Sequence, residues 1–94
     1  MAEQKTILRE FEVLNKYGIH ARPAALLVKT AGKFLCDIFI GQKGAEEVSA
    51  KSIMGLLTIE GYQGARIIVR VVGQDAEEAL AEIAELFEKK FFEE

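Results

Sequence analysis

The sequence predicts an α+β fold: one four-stranded sheet with three helices packed on one face and water on the other. Three observations predict it. The strand-like segments alternate apolar and polar residues, which makes one face of each fit for a core and the other for solvent. Three further segments show helical spacing or a helix-start residue ahead of an apolar cluster. The order reads β-α-β-β-α-β-α with no linker, repeat or low-complexity segment, in 94 residues that suffice for one core and not for two.

Residues 5–13, KTILREFEV, place Ile7, Phe11 and Val13 on one face and Glu10 and Glu12 on the other, with Arg9 the awkward member of the inner face. Ala24, Leu27, Val28 and Ala31 then follow helical spacing up to Gly32. CDIFI puts Cys36, Ile38 and Ile40 on one face of a second strand. The turn GQKG and the short strand EEVSA complete a hairpin, with Val48 and Ala50 inward. KSIMGLLTI is too short for periodicity to decide, but Ser52 before it and Gly61 after it favour a short helix. RIIVRVV is the strongest strand, with Ile67, Val69 and Val71 sharing a face. Asp75-Ala-Glu-Glu78 matches a capping box, and Leu80, Ile83, Ala84 and Phe87 line a long final helix. Phe39 and Ile68 fall on the open face, which single residues tolerate.

Composition and charge narrow the function classes. Half the residues are hydrophobic and only one is proline, as in a folded soluble domain. MAEQKTILREFEV lacks the apolar centre of a signal peptide, and no apolar run approaches the ~20 residues that cross a bilayer. Cys36 has no partner in the chain, which fits a small buried hydrophobe in a reducing compartment, so the cytoplasm is expected. The formal charge of −3 is uneven: residues 1–74 carry ten basic and seven acidic side chains, residues 75–94 two basic and eight acidic. An acidic last helix is thus attached to a mildly basic body. Its basic residues are scattered and not interleaved with aromatics, which disfavours nucleic acid and fits a phosphate group or a small acidic protein.

Asn15 to Lys33, NKYGIHARPAALLVKTAGK, holds the chain's only histidine and only proline. A helix start leaves backbone N–H groups unpaired and carries partial positive charge. Proline costs least in that first turn, so Pro23 marks a start rather than a break. His20 then falls at or beside the N-cap, with Ala21 and Arg22 in the first turn. An imidazole, a guanidinium and free amides converge there, which suits a phosphate. On spacing alone, a histidine that merely caps the helix or sits at the surface is the commoner reading. No second histidine or cysteine lies nearby to share a metal, and no hydroxyl nucleophile with its base can be assigned, so no metal, cofactor or hydrolase chemistry is expected.

GIHARPAALLV, KSIMGLLTI about thirty residues later, and the element order together resemble the HPr family. These are the histidine-containing phosphocarriers of the bacterial phosphoenolpyruvate-dependent phosphotransferase system. The likeness runs from the first strand through the acidic last helix. It implies a single HPr-like domain over residues 1–94, an open-faced β-sandwich with an antiparallel sheet in the order 1-4-2-3, and a monomeric carrier rather than an enzyme. It implies that His20 accepts a phosphoryl group from Enzyme I on Nδ1 and passes it to sugar-specific IIA proteins. Arg22 matches the arginine that neutralises the phosphoryl oxygens, with Ala21 and Pro23 at the phosphoryl-binding helix start. Ser52 matches the serine that an HPr kinase/phosphorylase modifies.

Docking calls for an apolar patch. A short helix cannot bury Ile53, Met54, Leu56 and Leu57 together; on the family pattern Leu56 goes inward while Ile53 and Met54 meet partners near His20. Lys16, Lys29 and Lys51 are candidates for its basic rim, although each also reads as a solvated lysine. EEALAEIAELF with FFEE, and NKYGIHARPA, resemble the nitrogen-branch paralogues, whereas KSIMG is the kinase-site version found in the sugar branch. EGYQG matches neither. Two functions of different class therefore stand: a phosphoryl carrier for sugar uptake, and a regulatory module whose phosphorylation controls a partner without sugar transport.

Overall fold

Arg66–Val72 (β4), the most apolar strand in the sequence, lies inside the sheet, where its β-branched side chains are covered. The structure is a computed structural model that describes residues 5–93. The first four residues and Glu94, parts of the leader and FFEE readings, lie outside the described residues. β4 is flanked by β1 (Thr6–Glu12) and β2 (Asp37–Gln42), and β2 by the two-residue β3 (Val48–Ser49). All pairings are antiparallel and the order is β1-β4-β2-β3, as the family resemblance implies. α1 (Ala21–Ala31), α2 (Ile53–Leu57) and α3 (Ala76–Glu88) complete the element order read from the sequence. Among the described residues no helix is long and apolar enough to cross a membrane.

Register explains the core. Ile7, Val71 and Ile38 form one inward row across three strands, and Arg9, Val69 and Ile40 the next. Leu27 and Ala24 of α1, Leu56 of α2, and Ile83 and Phe87 of α3 close over these rows. Arg9 stands in the inner row by pleat, yet it is exposed because β1 is an edge strand. Its guanidinium carbon sits 4.7 Å above the Phe11 ring, a cation–π contact that keeps the charge wet. On the open face Arg70 does the same over Phe39 at 4.3 Å and also pairs with Glu47.

Gly32 ends α1 as its place in the sequence suggests, in an ordinary right-handed conformation, φ −66°. One local expectation fails. The predicted capping box does not form: the Asp75 carboxylate leaves its own helix and accepts from Leu35 N–H at 2.8 Å and Cys36 N–H at 2.9 Å. The hydrogen bond from Leu35, then those from Cys36, hold that carboxyl below the usual Asp range. Beneath it Cys36 is buried, and burial first, then Asp75, pushes its thiol up to about 11. The final helix stops at Glu88, and Lys90, Phe91 and Phe92 turn left-handed at φ 54°, 54° and 59°.

Candidate functional site

The approach to α1 is built by a tight turn. Asn15 C=O accepts from Gly18 N–H at 3.2 Å, and Gly18 has φ +69°, a conformation that glycine adopts without cost. A Cβ at Gly18 would also meet the Gly61 carbonyl oxygen at 2.0 Å. That oxygen accepts from Ile19 N–H at 2.8 Å, so the EGYQG stretch serves as the shelf on which Ile19 and then His20 are set. A Cβ at Gly61 would in turn meet the Ile19 side chain at 3.0 Å, so close packing explains that glycine.

His20 is the N-cap of α1 in extended conformation, and its side chain makes no capping bond. Its carbonyl accepts from Ala24 N–H at 2.9 Å. Pro23, buried at the third helical position, has no N–H to offer. Only the amides of Ala21 and Arg22 are left without intrahelical acceptors, and among the described residues no group accepts from them. Arg22 is exposed and has no ion-pair partner among the described residues. A first turn with two open donors and an exposed guanidinium is suited to a tetrahedral anion in front of the ring.

The ring itself is held from behind. Its side chain is 41 % exposed, while Nε2 is buried against Glu93, whose Oε2 lies 2.8 Å away. Among the described residues Nε2 makes no hydrogen bond that meets ordinary geometry, so the contact is a close approach of the carboxylate rather than an aligned hydrogen bond. Among the described residues nothing engages Nδ1 or buries it as Nε2 is buried, which makes it the nitrogen facing out. Tyr17 meets the ring edge-on at 6.3 Å, and Lys16 lies 5.4 Å from the Tyr17 ring. Glu93 Oε1 accepts from Asn15 Nδ2 at 2.9 Å, and the same nitrogen donates to Gly18 C=O at 2.7 Å. Asn15 is fully buried, and its own Oδ1 has no partner among the described residues.

Ser52, the second candidate, is the N-cap of α2: its hydroxyl accepts from Gly55 N–H at 3.1 Å and remains exposed. Leu56 is fully buried, whereas Ile53, Met54 and Leu57 are 41, 74 and 46 % exposed, the apolar patch the short helix cannot cover. Lys51 is engaged elsewhere. Its ammonium donates to Phe34 C=O at 2.9 Å, beyond the end of α1 opposite His20. Lys29 in the last turn of α1 is exposed. No three His, Cys, Asp or Glu residues gather as a metal site among the described residues. A cavity of about 410 Å³, lined by Gln42, Glu46, Val48, Ile59 and Glu60, contains none of the candidate residues.

Sequence reasoning missed Asn15, Tyr17 and Glu93. An Asn three residues before a glycine is a turn signal that would have found the first. No local signal links Glu93 to a histidine 73 residues earlier.

Comparison with known proteins adds to this geometry. The family described as the PTS HPr component phosphorylation site matches residues 7–89. The phosphocarrier protein HPr of Xylella fastidiosa is 45 % identical over 84 residues, which cover 89 % of this chain and 93 % of that protein. The structure of HPr from Thermoanaerobacter tengcongensis matches with a TM-score of 0.82 at 43 % identity, covering 99 % of both chains. That of Crh, the Bacillus subtilis catabolite repression protein described as a domain-swapped dimer, matches with a TM-score of 0.70 at 38 % identity. It covers 96 % of this chain and 97 % of Crh.

Proposed function

The chain belongs to the HPr family of phosphocarriers, and from that premise we propose that His20 carries a phosphoryl group from Enzyme I to sugar-specific IIA proteins. The observation that carries this reading is the pairing of an outward Nδ1 with two amides and an Arg22 that have no partner among the described residues, all at one helix start. Neutral imidazole is a good nucleophile near pH 7. The Nδ1 lone pair forms the new N–P bond as the donor's bond to phosphorus breaks, its electron pair staying on the donor. Arg22 and the amides of Ala21 and Arg22 hold the equatorial oxygens during both transfers. The protein supplies the acceptor and the cradle, and each partner supplies the rest of the site.

Partners dock on Ile53 and Met54, with Lys16 beside Tyr17 as the nearest basic rim; Lys51, engaged at Phe34, contributes less. An HPr kinase/phosphorylase acts on the exposed Ser52 hydroxyl. The setting is the cytoplasm, and the working unit is a monomer in which residues 1–94 form one domain. The likeness to a catabolite repression protein favours a second role, regulation of a partner through Ser52, layered on the first.

Incubation with phosphoenolpyruvate and Enzyme I is expected to add one acid-labile, base-stable phosphoryl group, and His20→Ala to abolish it. Undiminished labelling of the variant would overturn the assignment.

A further inference from the structure

We propose that Glu93 is a positioning residue for His20: it holds the ring by Nε2 and so presents Nδ1 to the incoming phosphorus. The proposal rests on His20 being the carrier. Its basis is geometric. The two carboxylate oxygens have different partners, Oε2 at His20 Nε2 and Oε1 at Asn15 Nδ2, so the carboxylate cannot swing without losing one of them. Asn15 is fixed in turn. Its Nδ2 serves two acceptors, and a flipped amide would aim a carbonyl at both.

An exposed contact of a carboxylate is commonly worth little. This contact differs, because the Glu93 side chain is only 16 % exposed and its second oxygen is bound to a residue with no exposure at all. The backbone is also bent to deliver it. Lys90, Phe91 and Phe92 each adopt a left-handed conformation that non-glycine residues rarely take. Phe91 is fully buried there, edge-on to Phe87 at 5.0 Å, and the turn brings Glu93 to Asn15 and His20.

The chemical consequence concerns a proton that does not move. A neutral imidazole with its proton on Nε2 has its lone pair on Nδ1, whereas the other tautomer has no nucleophile at Nδ1. A carboxylate at Nε2 favours the first. When Nδ1 takes the phosphoryl group, Nε2 keeps its proton and the ring becomes cationic. The carboxylate behind it compensates that charge, while the phosphoryl oxygens lie on the opposite side with Arg22. Contacts of this kind are commonly misaligned before the reaction and tighten during it.

Glu93→Gln is the test, since a glutamine has one acceptor oxygen for two donors. Nitrogen-15 NMR of the His20 ring, above the pH at which histidine is charged, reads the tautomer directly; stopped transfer assays with phosphorylated Enzyme I read kcat and KM. Wild type is expected to hold its proton on Nε2. The variant is expected to show a mixed tautomer and a kcat about tenfold lower, the scale on which losing the partner behind a functional histidine is felt, with KM little changed. A variant matching wild type in either tautomer or kcat overturns the inference alone. Wild type that takes no phosphoryl group overturns the carrier reading, and this one with it.

Discussion

The starts of α1 and α2 share one backbone plan and differ in what the first side chain does. At both, the N-cap carbonyl accepts from the amide four residues on, at 2.9 Å from Ala24 and 3.0 Å from Leu56. At α2 the Ser52 hydroxyl folds back onto Gly55 N–H, so the cap oxygen stands in front of the first turn, where the Ile53 and Met54 amides find no acceptor among the described residues. At α1 proline replaces that third donor and the His20 side chain makes no cap, so the Ala21 and Arg22 amides are open, among the described residues, with no side-chain oxygen in front of them. A cap of the Ser52 kind is worth about 1 kcal/mol. Forgoing it leaves α1 less well tied down and leaves its partial charge available to an anion. Asp75 at the start of α3 is a third arrangement, in which the cap is lent to a neighbouring loop.

The contrast can be broken most strongly at Arg22. Arg22→Ala removes an exposed side chain, so the melting temperature should hold, while transfer through His20 should slow about tenfold, less than the loss typical of a buried oxyanion donor. Lys29→Ala, a charge change of the same size at the far end of α1, should slow it much less. Equal effects of the two in parallel rate measurements would mean that Arg22 is one more solvated cation.

Ser52→Asp gives a smaller and more discriminating effect. A carboxylate can still cap Gly55 N–H and meets the positive end of α2, so the melting temperature should hold or rise. The new charge lies beside the Ile53 and Met54 patch, and phosphorylation of His20 should slow severalfold through weaker docking. If rate and melting temperature measured on one sample are both unchanged, Ser52 is a cap and nothing more.

The smallest effect is purely structural. The folded Asp75 carboxyl titrates below its unfolded range, so its stabilisation is present above that range and fades as pH falls through the folded value. Asp75→Asn should therefore melt lower at neutral pH, and the gap to wild type should close on acidification, with transfer unaffected. Thermal melts over an acid pH series decide it; a gap independent of pH would mean that charge has no part in the loop contact.

Much of this was legible in the chain itself. Alternation in β4 and the spacing of Ala24, Leu27 and Ala31 are strong because one face of each element must be dry. His20, Arg22 and Pro23 are legible because proline fixes where a helix can start. What escaped was settled by competition between distant groups. Asp75 fits a capping box by spacing, yet two amides forty residues earlier claim its oxygens. β3 is shorter than EEVSA suggests; nearby, Gly41 lies so close to the other arm of the hairpin that a Cβ would meet Glu46 O at 2.9 Å. Glu93 reaches Asn15 and His20 through a turn that propensity argues against at every residue.

Cys36 offers a different use of the same loop. Its sulfur is buried, its thiolate is disfavoured, and Gly73 packs so tightly above it that a Cβ there would lie 2.6 Å from that of Cys36. An alkylating reagent can therefore react only in the instants when the start of β2 lifts away from Asp75. When reclosing outruns reaction, the labelling rate divided by that of a free thiol is the fraction of time the seam stands open. With one cysteine in the chain, the protein carries a built-in clock for its own breathing at the end of the molecule where Asp75 fastens α3 to the sheet.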